Sequence, residues 1–391
     1  MKHYDVVVIG GGMVGASLTC LLAKIGLNIA VVEAHLPKAY HADDPYDLRV
    51  SALSHFSRQV LIDTGAWSFI EAMRIAPYEA MQIWDAQGQG KIGFDATEIG
   101  AAQLGHIVEN RIIQLGLLNA LAHYKNAELI APARLEALHT AADNKKTLTL
   151  DTGLSLSANL VIGADGASSP LRQYANIGVQ RQDYGQHGLV TVVETEYSHQ
   201  NTAWQCFLAT GPIAFLPLGN SKQCSIVWTL PSDKADKILA LSEHDFKQQL
   251  EQAIDRKLGK ILNVSPRAAF PLKGSYAENY VQTGIALVGD AAHTIHPLAG
   301  LGVNLGFKDV AKLAEILSAV TSNKLGNFKV LRRYERARRG DNMLTMKAME
   351  AFSLLFGHTA GTVKDLRNTG LNWMDQSSTI KRLFMQYAMG K

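Results

Sequence analysis

Cysteine is scarce in this 391-residue chain. There are three, Cys20, Cys206 and Cys224, with no C-x-x-C spacing. An odd, scattered set supports no disulfide framework and fits a reducing compartment. Unbalanced charge is scarce as well: the formal net charge is +3, which argues against bulk binding of nucleic acid. No apolar run is long enough to span a bilayer. The nearest, Val6 to Ala23, mimics a signal peptide or a transmembrane helix. However, Gly10, Gly11, Gly12 and Gly15 fall inside it, and Lys24 breaks it before a second apolar burst, IAVVEA. The reading is a cytosolic protein without a spanning segment. Tandem repeats and low-complexity tracts are absent too. What is present is ordinary for a globular chain, 47% hydrophobic and 19% charged, and long enough for a large core and two or more domains.

The first 34 residues have the order of a βαβ unit. Tyr4–Ile9 is a β-branched run suited to a parallel strand buried on both faces. Gly10-x-Gly12-x-x-Gly15 follows at once, then a helix to about Ile25 and a second strand, Ile29–Val32, ending at Glu33. In this context the first glycine permits a tight turn and the second lets backbone approach a pyrophosphate. The third lets helix pack on strand, and the helix N-terminus favours the phosphates. Glu33 stands where a carboxylate accepts from ribose hydroxyls. GQGKIG at 88–93 fits the same pattern but lacks a preceding strand and a following helix, so it reads as a hairpin turn.

Beyond Glu33, Ser54 is expected to cap a helix, and Asn110 another over RIIQLGLLNALAHY. Two short strands meet around DNKK, and a buried strand ends at Gly163-Ala164-Asp165-Gly166. Strands dominate from about 186 to 230, a helix follows at about 242–258, and the chain is mainly helical after 302. The fold class is therefore α/β: a discontinuous Rossmann-like dinucleotide domain, an inserted sheet-rich domain and a helical C-terminus. The expected boundaries are 1–75, 100–180 and 275–330 for the first, 76–99 and 181–274 for the second, and 331–391 for the third.

Three separated motifs coincide: the first glycine motif with Glu33; GADG at 163–166 with Ser169 and Arg172; and Gly289-Asp290 through Asn304. Together they resemble the flavoprotein aromatic hydroxylases, single-component FAD monooxygenases built like para-hydroxybenzoate hydroxylase. DLRVSALS at 47–54, GPIAFLPL at 211–218, SIVWTLP at 225–231, HPLAG at 296–300 and LRRYERARR at 331–339 are similar to the ubiquinone-biosynthesis hydroxylases within that group. One departure is Leu301, where that family usually carries Gln.

The resemblance implies FAD on Gly10, Gly12, Gly15 and Glu33, with Arg49 and Arg111 touching the cofactor. Arg suits a diphosphate. Arg111 also sits at a helix start, where a cation is disfavoured unless it has an anionic partner. Asp165 and Gly166 are tied to FAD and the pyridine nucleotide, while Ser169 and Arg172 read equally as holding their own turn. Gly289 and Asp290 approach the ribityl chain, and Pro297, Gly300, Leu301, Gly302 and Asn304 pass along the flavin ring. A helix beginning near Val303 aims its N-terminus at the flavin. His293 and His296 are three apart beside Asp290, but Pro297 prevents a regular helix there, so no metal is expected.

The implied reaction is hydroxylation of a polyprenylated phenol or quinol. NAD(P)H reduces FAD, and oxygen is then activated as a flavin C4a-hydroperoxide. The absence of a second nucleotide fold separates the chain from disulfide-reductase-like flavoproteins, but leaves the electron donor open. No general base is evident. Trp204, Phe207, Phe215, Pro217 and Trp228 are candidates for pocket lining, against the bland reading of strand aromatics as core. Such a substrate implies peripheral contact with the inner membrane and a complex with other quinone-biosynthesis proteins. The 378–391 segment, with Ile380, Leu383, Phe384 and Tyr387 at helical spacing, reads as an interfacial helix or as one packed on its own domain. Two other functions stay open on sequence grounds: an FAD-dependent isoprenoid reductase, and a non-catalytic scaffold of the same fold.

Overall fold

The computed structural model describes residues 1–141, 144–295, 302–357 and 361–389. β1 (Lys2–Ile9) buries Val6, Val7 and Val8 completely, as a central parallel strand does. α1 (Met13–Lys24) and β2 (Ile29–Val32) complete the βαβ unit. β3 (Val50–Leu53), α2 (His55–Asp63), α3 (Trp67–Met73) and β4 (Ala76–Tyr78) follow. The Ser54 hydroxyl caps α2 by accepting from the Ser57 N–H. β5 (Ala80–Asp85) and β6 (Lys91–Asp95) form an antiparallel hairpin across the second glycine run. β7 (Gly105–Glu109) leads into α4 (Asn110–Leu121). Its capping residue is Glu109, not the expected Asn110, whose side-chain oxygen instead accepts from the Ser51 hydroxyl.

β8 (Ala127–Ile130), β9 (Leu135–Thr140), β10 (Lys146–Leu150), β11 (Ser155–Gly163) and the short α5 (Pro170–Tyr174) come next. The strand-rich stretch holds β12 (Val179–Thr195), β13 (Thr202–Leu208), β14 (Gly211–Pro217) and β15 (Gln223–Pro231). α6 (Ser232–Leu239), α7 (Glu243–Ala253), β16 (Ile261–Val264) and β17 (Ala268–Ala277) follow, then β18 (Val281–Gln282), β19 (Ile285–Leu287) and β20 (His293–Thr294). The remainder is helical: α8 (Gly302–Ser318), α9 (Phe328–Gly357), α10 (Gly361–Gln376) and α11 (Ser378–Met389). No described helix is long and apolar enough to cross a membrane.

Among the described residues the strands form three sheets. The first has the order β18-β19-β11-β1-β2-β8, with β10 and β9 folded off β11. β1 pairs in parallel with β2 and β11, so residues far apart in sequence deliver their C-terminal ends to one edge. The second runs β20-β17-β12-β15-β14-β13-β5-β6, with β16 on β12. The third is β3-β7-β4. Two expected segments are thus shared between sheets: β4 leaves the insert for the small sheet, while β17 and β20 belong to the second sheet.

The second sheet is covered on both faces. One face packs Phe215, Ile226, Trp228 and Cys224 against Phe246 and Leu250 of α7. The opposite face packs Leu216, Ala214 and Val192 against Ala52 and Ile107 of the small sheet. Toward its edge the C-terminal helices dock on β5 and β13. Phe356 stacks on Phe207 at 3.8 Å, and Arg367 Nε donates to Asp85 Oδ2 at 2.9 Å, with both side chains fully buried.

Candidate functional site

The site forms around the first turn of α1. Gly10 adopts φ +100°, and a Cβ there would strike the Ala164 carbonyl and stand 2.9 Å from Asp165 Cα. The first motif is therefore seated directly on the second, and only glycine permits the approach. At Gly15 a Cβ would strike the Gly10 carbonyl, so the third glycine sets how closely α1 lies on the turn. At Gly12 a Cβ would meet no described atom within 4 Å. Gly12 is also the N-cap of α1, and no side chain caps that end. The unsatisfied N–H groups and the dipole there favour an anion. Glu33 borders this end: its Oε2 accepts from Gly11 N at 2.6 Å and its Oε1 from His35 N at 2.8 Å.

Asp165 presents one oxygen to the Leu171 N–H at 3.0 Å, while its Oδ1 is buried without a hydrogen-bond partner among the described residues. Burial pushes its carboxyl above the usual range, against the pull of Ser169 and the Leu171 N–H. Arg172 does more than hold its own turn. Besides Ala167 O at 2.6 Å it donates to Ala291 O at 2.8 Å, which ties the second motif to the third.

Gly289 and Asp290 reach the same place from the far end of the chain. A Cβ on Gly289 would lie 3.2 Å from Val14 of α1. Asp290 is exposed to solvent beside the fully buried Gly289 and Ala291. Desolvation by the protein around it raises its carboxyl, with His293 and Arg49 opposing. Arg49 is exposed, and its guanidinium lies 5.9 Å from the Phe270 ring centroid. Gly302 opens α8, as expected of the helix there.

Several expectations change. Arg111 has its anionic partner within the chain: it pairs with Asp47 at 2.9 Å and Asp44 at 3.1 Å and donates to Ala39 O, fastening the 39–47 loop. The Asn304 side chain accepts from Ser54 N and the Ser57 hydroxyl and donates to Ala52 O. It ties α8 to the small sheet. Strand alternation decides which face each pocket candidate occupies. Phe215 and Trp228 sit in the core against α7, and Trp204 and Pro217 share their face, paired with Phe215 and Cys224. Phe207 lies on the other face but is covered by Phe356. Phe270, opposite Gly188 on β12, stands on the other face of the sheet, beside Arg49. His296, Pro297, Gly300 and Leu301 lie outside the described residues, as do the side chains of Ile380, Phe384 and Tyr387.

One buried group escaped the sequence reading. His293 Nε2 meets Asp309 Oδ2 at 2.5 Å, and Asp309 also holds Gly289 N, Arg338 and Asn342. The available signal was a carboxylate set among Phe307, Val310 and Leu313 on the apolar stripe of α8.

These features suit FAD: an uncapped helix end with room at Gly12 for a pyrophosphate, Glu33 beside it, Asp165 Oδ1 without a partner among the described residues, and the exposed carboxylate of Asp290. Comparison with known proteins agrees. A family model described as FAD binding domain matches residues 3–347. The chain is 36% identical to the 3-demethoxyubiquinol 3-hydroxylase of Escherichia coli, over 99% of this chain and 98% of that protein. It is 37% identical to the ubiquinone hydroxylase UbiL of Rhodospirillum rubrum, over 100% of this chain and 90% of that protein. Among solved structures, p-nitrophenol 4-monooxygenase PnpA from Pseudomonas putida shares the fold with a TM-score of 0.80 at 20% identity, covering 100% of this chain and 99% of that one. The chain belongs to the family of FAD-dependent aromatic-ring monooxygenases that includes the ubiquinone-biosynthesis hydroxylases.

Proposed function

We propose that the chain hydroxylates the aromatic ring of a polyprenylated phenol or quinol in ubiquinone biosynthesis, with NAD(P)H as electron donor. The observation that carries this is the 36% and 37% identity, over nearly the whole chain, to a 3-demethoxyubiquinol 3-hydroxylase and a ubiquinone hydroxylase, joined to an uncapped helix end beside Asp165 Oδ1, which has no partner among the described residues. Bound FAD supplies the electron transfer and oxygen activation that side chains cannot. The chain binds and orients. The α1 N-terminus and Gly12 would hold the pyrophosphate, Glu33 the ribose, and Asp290 a ribityl hydroxyl. Arg49 and Phe270 would form one wall of the ring pocket, where an aromatic face and a cation suit an electron-rich ring. Ala52 and Ile107 of the small sheet pack against the second sheet and support it there.

A polyprenyl tail lies in a bilayer, and we include peripheral membrane contact in the proposal. Trp373 on α10 (58% exposed) and Leu383 on α11 (69% exposed) support it. Against this, Lys381 of α11 is pinned to Glu98 at 2.8 Å, so one side of that helix packs on its own protein.

The test is turnover of purified, FAD-loaded protein with a short-tail prenylphenol and NAD(P)H. The expected result is oxygen consumption matched to a product heavier by one oxygen atom. Nucleotide oxidation that proceeds equally without oxygen and reduces the prenyl tail would overturn the hydroxylase reading in favour of a reductase. Protein that takes up no FAD would overturn both.

A further inference from the structure

Asp309 is fully buried in the middle of α8, and neither the FAD contacts nor the ring pocket uses it. Its two oxygens face different ways. Oδ2 accepts from Gly289 N at 3.1 Å and meets His293 Nε2 at 2.5 Å. Oδ1 accepts from Arg338 Nε at 2.9 Å and Asn342 Nδ2 at 3.1 Å, both on α9. The two groups on Oδ2 are the ends of the five-residue segment 289–293, and Asp290 lies between them. The His293 ring is further fixed by stacking on Tyr280, with centroids 5.9 Å apart. On the other side, Arg338 also donates to Asp341 and, at 2.6 Å, to Asn342 Oδ1, so the cation that backs Asp309 is itself immobilised.

We propose that Asp309 is a positioning residue: by gripping Gly289 N and the His293 ring together it fixes the direction of Asp290 toward the cofactor, with Arg338 and Asn342 as its anchor on α9. This rests on the flavin-site reading. Holding α8 to α9 needs no charge, because well-packed apolar side chains do that as well as a buried ion pair. What an apolar pair cannot do is accept a backbone N–H and a ring N–H from the same loop. Four donors on one carboxylate also give a geometry with little freedom, which suits orientation more than adhesion. Charge supports the same arrangement: burial pushes the Asp309 carboxyl up, but His293 and Arg338 outweigh it and hold it below the usual range.

The variants are Asp309→Asn and His293→Gln. An amide at 309 must turn an NH2 group toward one pair of donors, and glutamine at 293 keeps a donor but not the ring. The readouts are the FAD dissociation constant, from quenching of flavin fluorescence on titration into apoprotein, and the visible-region circular dichroism of the bound flavin. The second reports flavin orientation and does not follow from loss of stability alone. Asp309→Asn is expected to raise the dissociation constant by at least about tenfold, and His293→Gln by at least about threefold, each with an altered flavin dichroism. Should Asp309→Asn fail to fold, His293→Gln decides, since it leaves Arg338 and Asn342 in place on Asp309. A wild-type dichroism and affinity within about threefold in folded His293→Gln overturns the proposal. Wild-type protein that binds no FAD instead overturns the flavin-site reading itself.

Discussion

Replacing Gly12 by alanine is expected to separate cofactor binding from folding. Gly12 has φ −70° and ψ −174°, a conformation open to any L-residue, and its Cβ would meet no described atom within 4 Å. The apoprotein should therefore lose nothing. Reduced freedom of the unfolded chain contributes about 0.4–1 kcal/mol, a rise in Tm of about 3 °C at most. FAD meets the methyl group where its pyrophosphate would approach the N-terminus of α1. Displacing the phosphate from one or two charged hydrogen bonds and from the helix dipole removes about 2–4 kcal/mol, or roughly 30- to 700-fold in Kd. Gly15→Ala is the contrast. Its Cβ would lie well inside 3.0 Å of the Gly10 carbonyl, so α1 must move, and about 1–3 kcal/mol of apoprotein stability goes with it. The assay pairs thermal unfolding of each apoprotein with FAD titration. Gly12→Ala that binds FAD within about threefold of wild type would refute the assignment of the α1 N-terminus to the pyrophosphate.

Other outcomes follow from the same geometry. Desolvation by the surrounding protein raises the Asp290 carboxyl, so the folded apoprotein holds that proton more tightly than the unfolded chain, and Asp290 destabilises the fold as pH rises above its ordinary value of 3.8. Because Asp290 is exposed and screened, the effect is small: Asp290→Asn apoprotein should match or slightly exceed the wild-type Tm at pH 7, with any gain fading toward pH 4, while FAD binds more weakly; a lower Tm at pH 7 would count against the raised carboxyl. Arg367→Met removes the buried cation from Asp85, which keeps only Asn368 and the Gln87 N–H among the described residues, and should destabilise the docked C-terminal helices by about 3–5 kcal/mol, seen as proteolytic cutting within α10 and α11 under conditions where wild type resists. Phe215→Ala should lower stability by about 3–5 kcal/mol and leave KM for the ring substrate unchanged in the folded fraction. Phe270→Ala should do the reverse, raising KM about tenfold with Tm unchanged within about 2 °C.

Much of the fold was legible because its elements carry their own local signals. The β-branched run before Gly10 reads as a buried strand, Ser54 as a cap, and 88–93 as a turn, and each stands in its place. The turn that seats the first glycine motif on the second was legible for the same reason, since Gly10 and Gly15 are required by backbone geometry that sequence expresses directly. What failed depends on partners distant in sequence. In GPIAFLPL every residue is apolar because both faces of the sheet are buried, so nothing in the pattern says that Phe215 turns toward α7 and Leu216 toward the small sheet. Arg111 does need an anion, but whether that is phosphate or Asp44 and Asp47 depends on a loop about 65 residues away. Asp309 finds its purpose only when Gly289, His293 and Arg338 converge on it.

The parallel pairing of β1 with β11, and of β11 with β19, also fixes when the cofactor can be taken up during synthesis. Gly10 and Gly12 leave the ribosome early, whereas Asp290 and the α8 residues that support it emerge almost 300 residues later. At about 5–20 residues per second that interval lasts roughly 15–60 s, during which the first strand has its β2 neighbour but lacks the far wall of the cradle. The cradle is therefore complete only late in synthesis. The second edge of β1 stays open until β11 (Ser155–Gly163) emerges, and until then it must be shielded by the growing chain itself or by a chaperone.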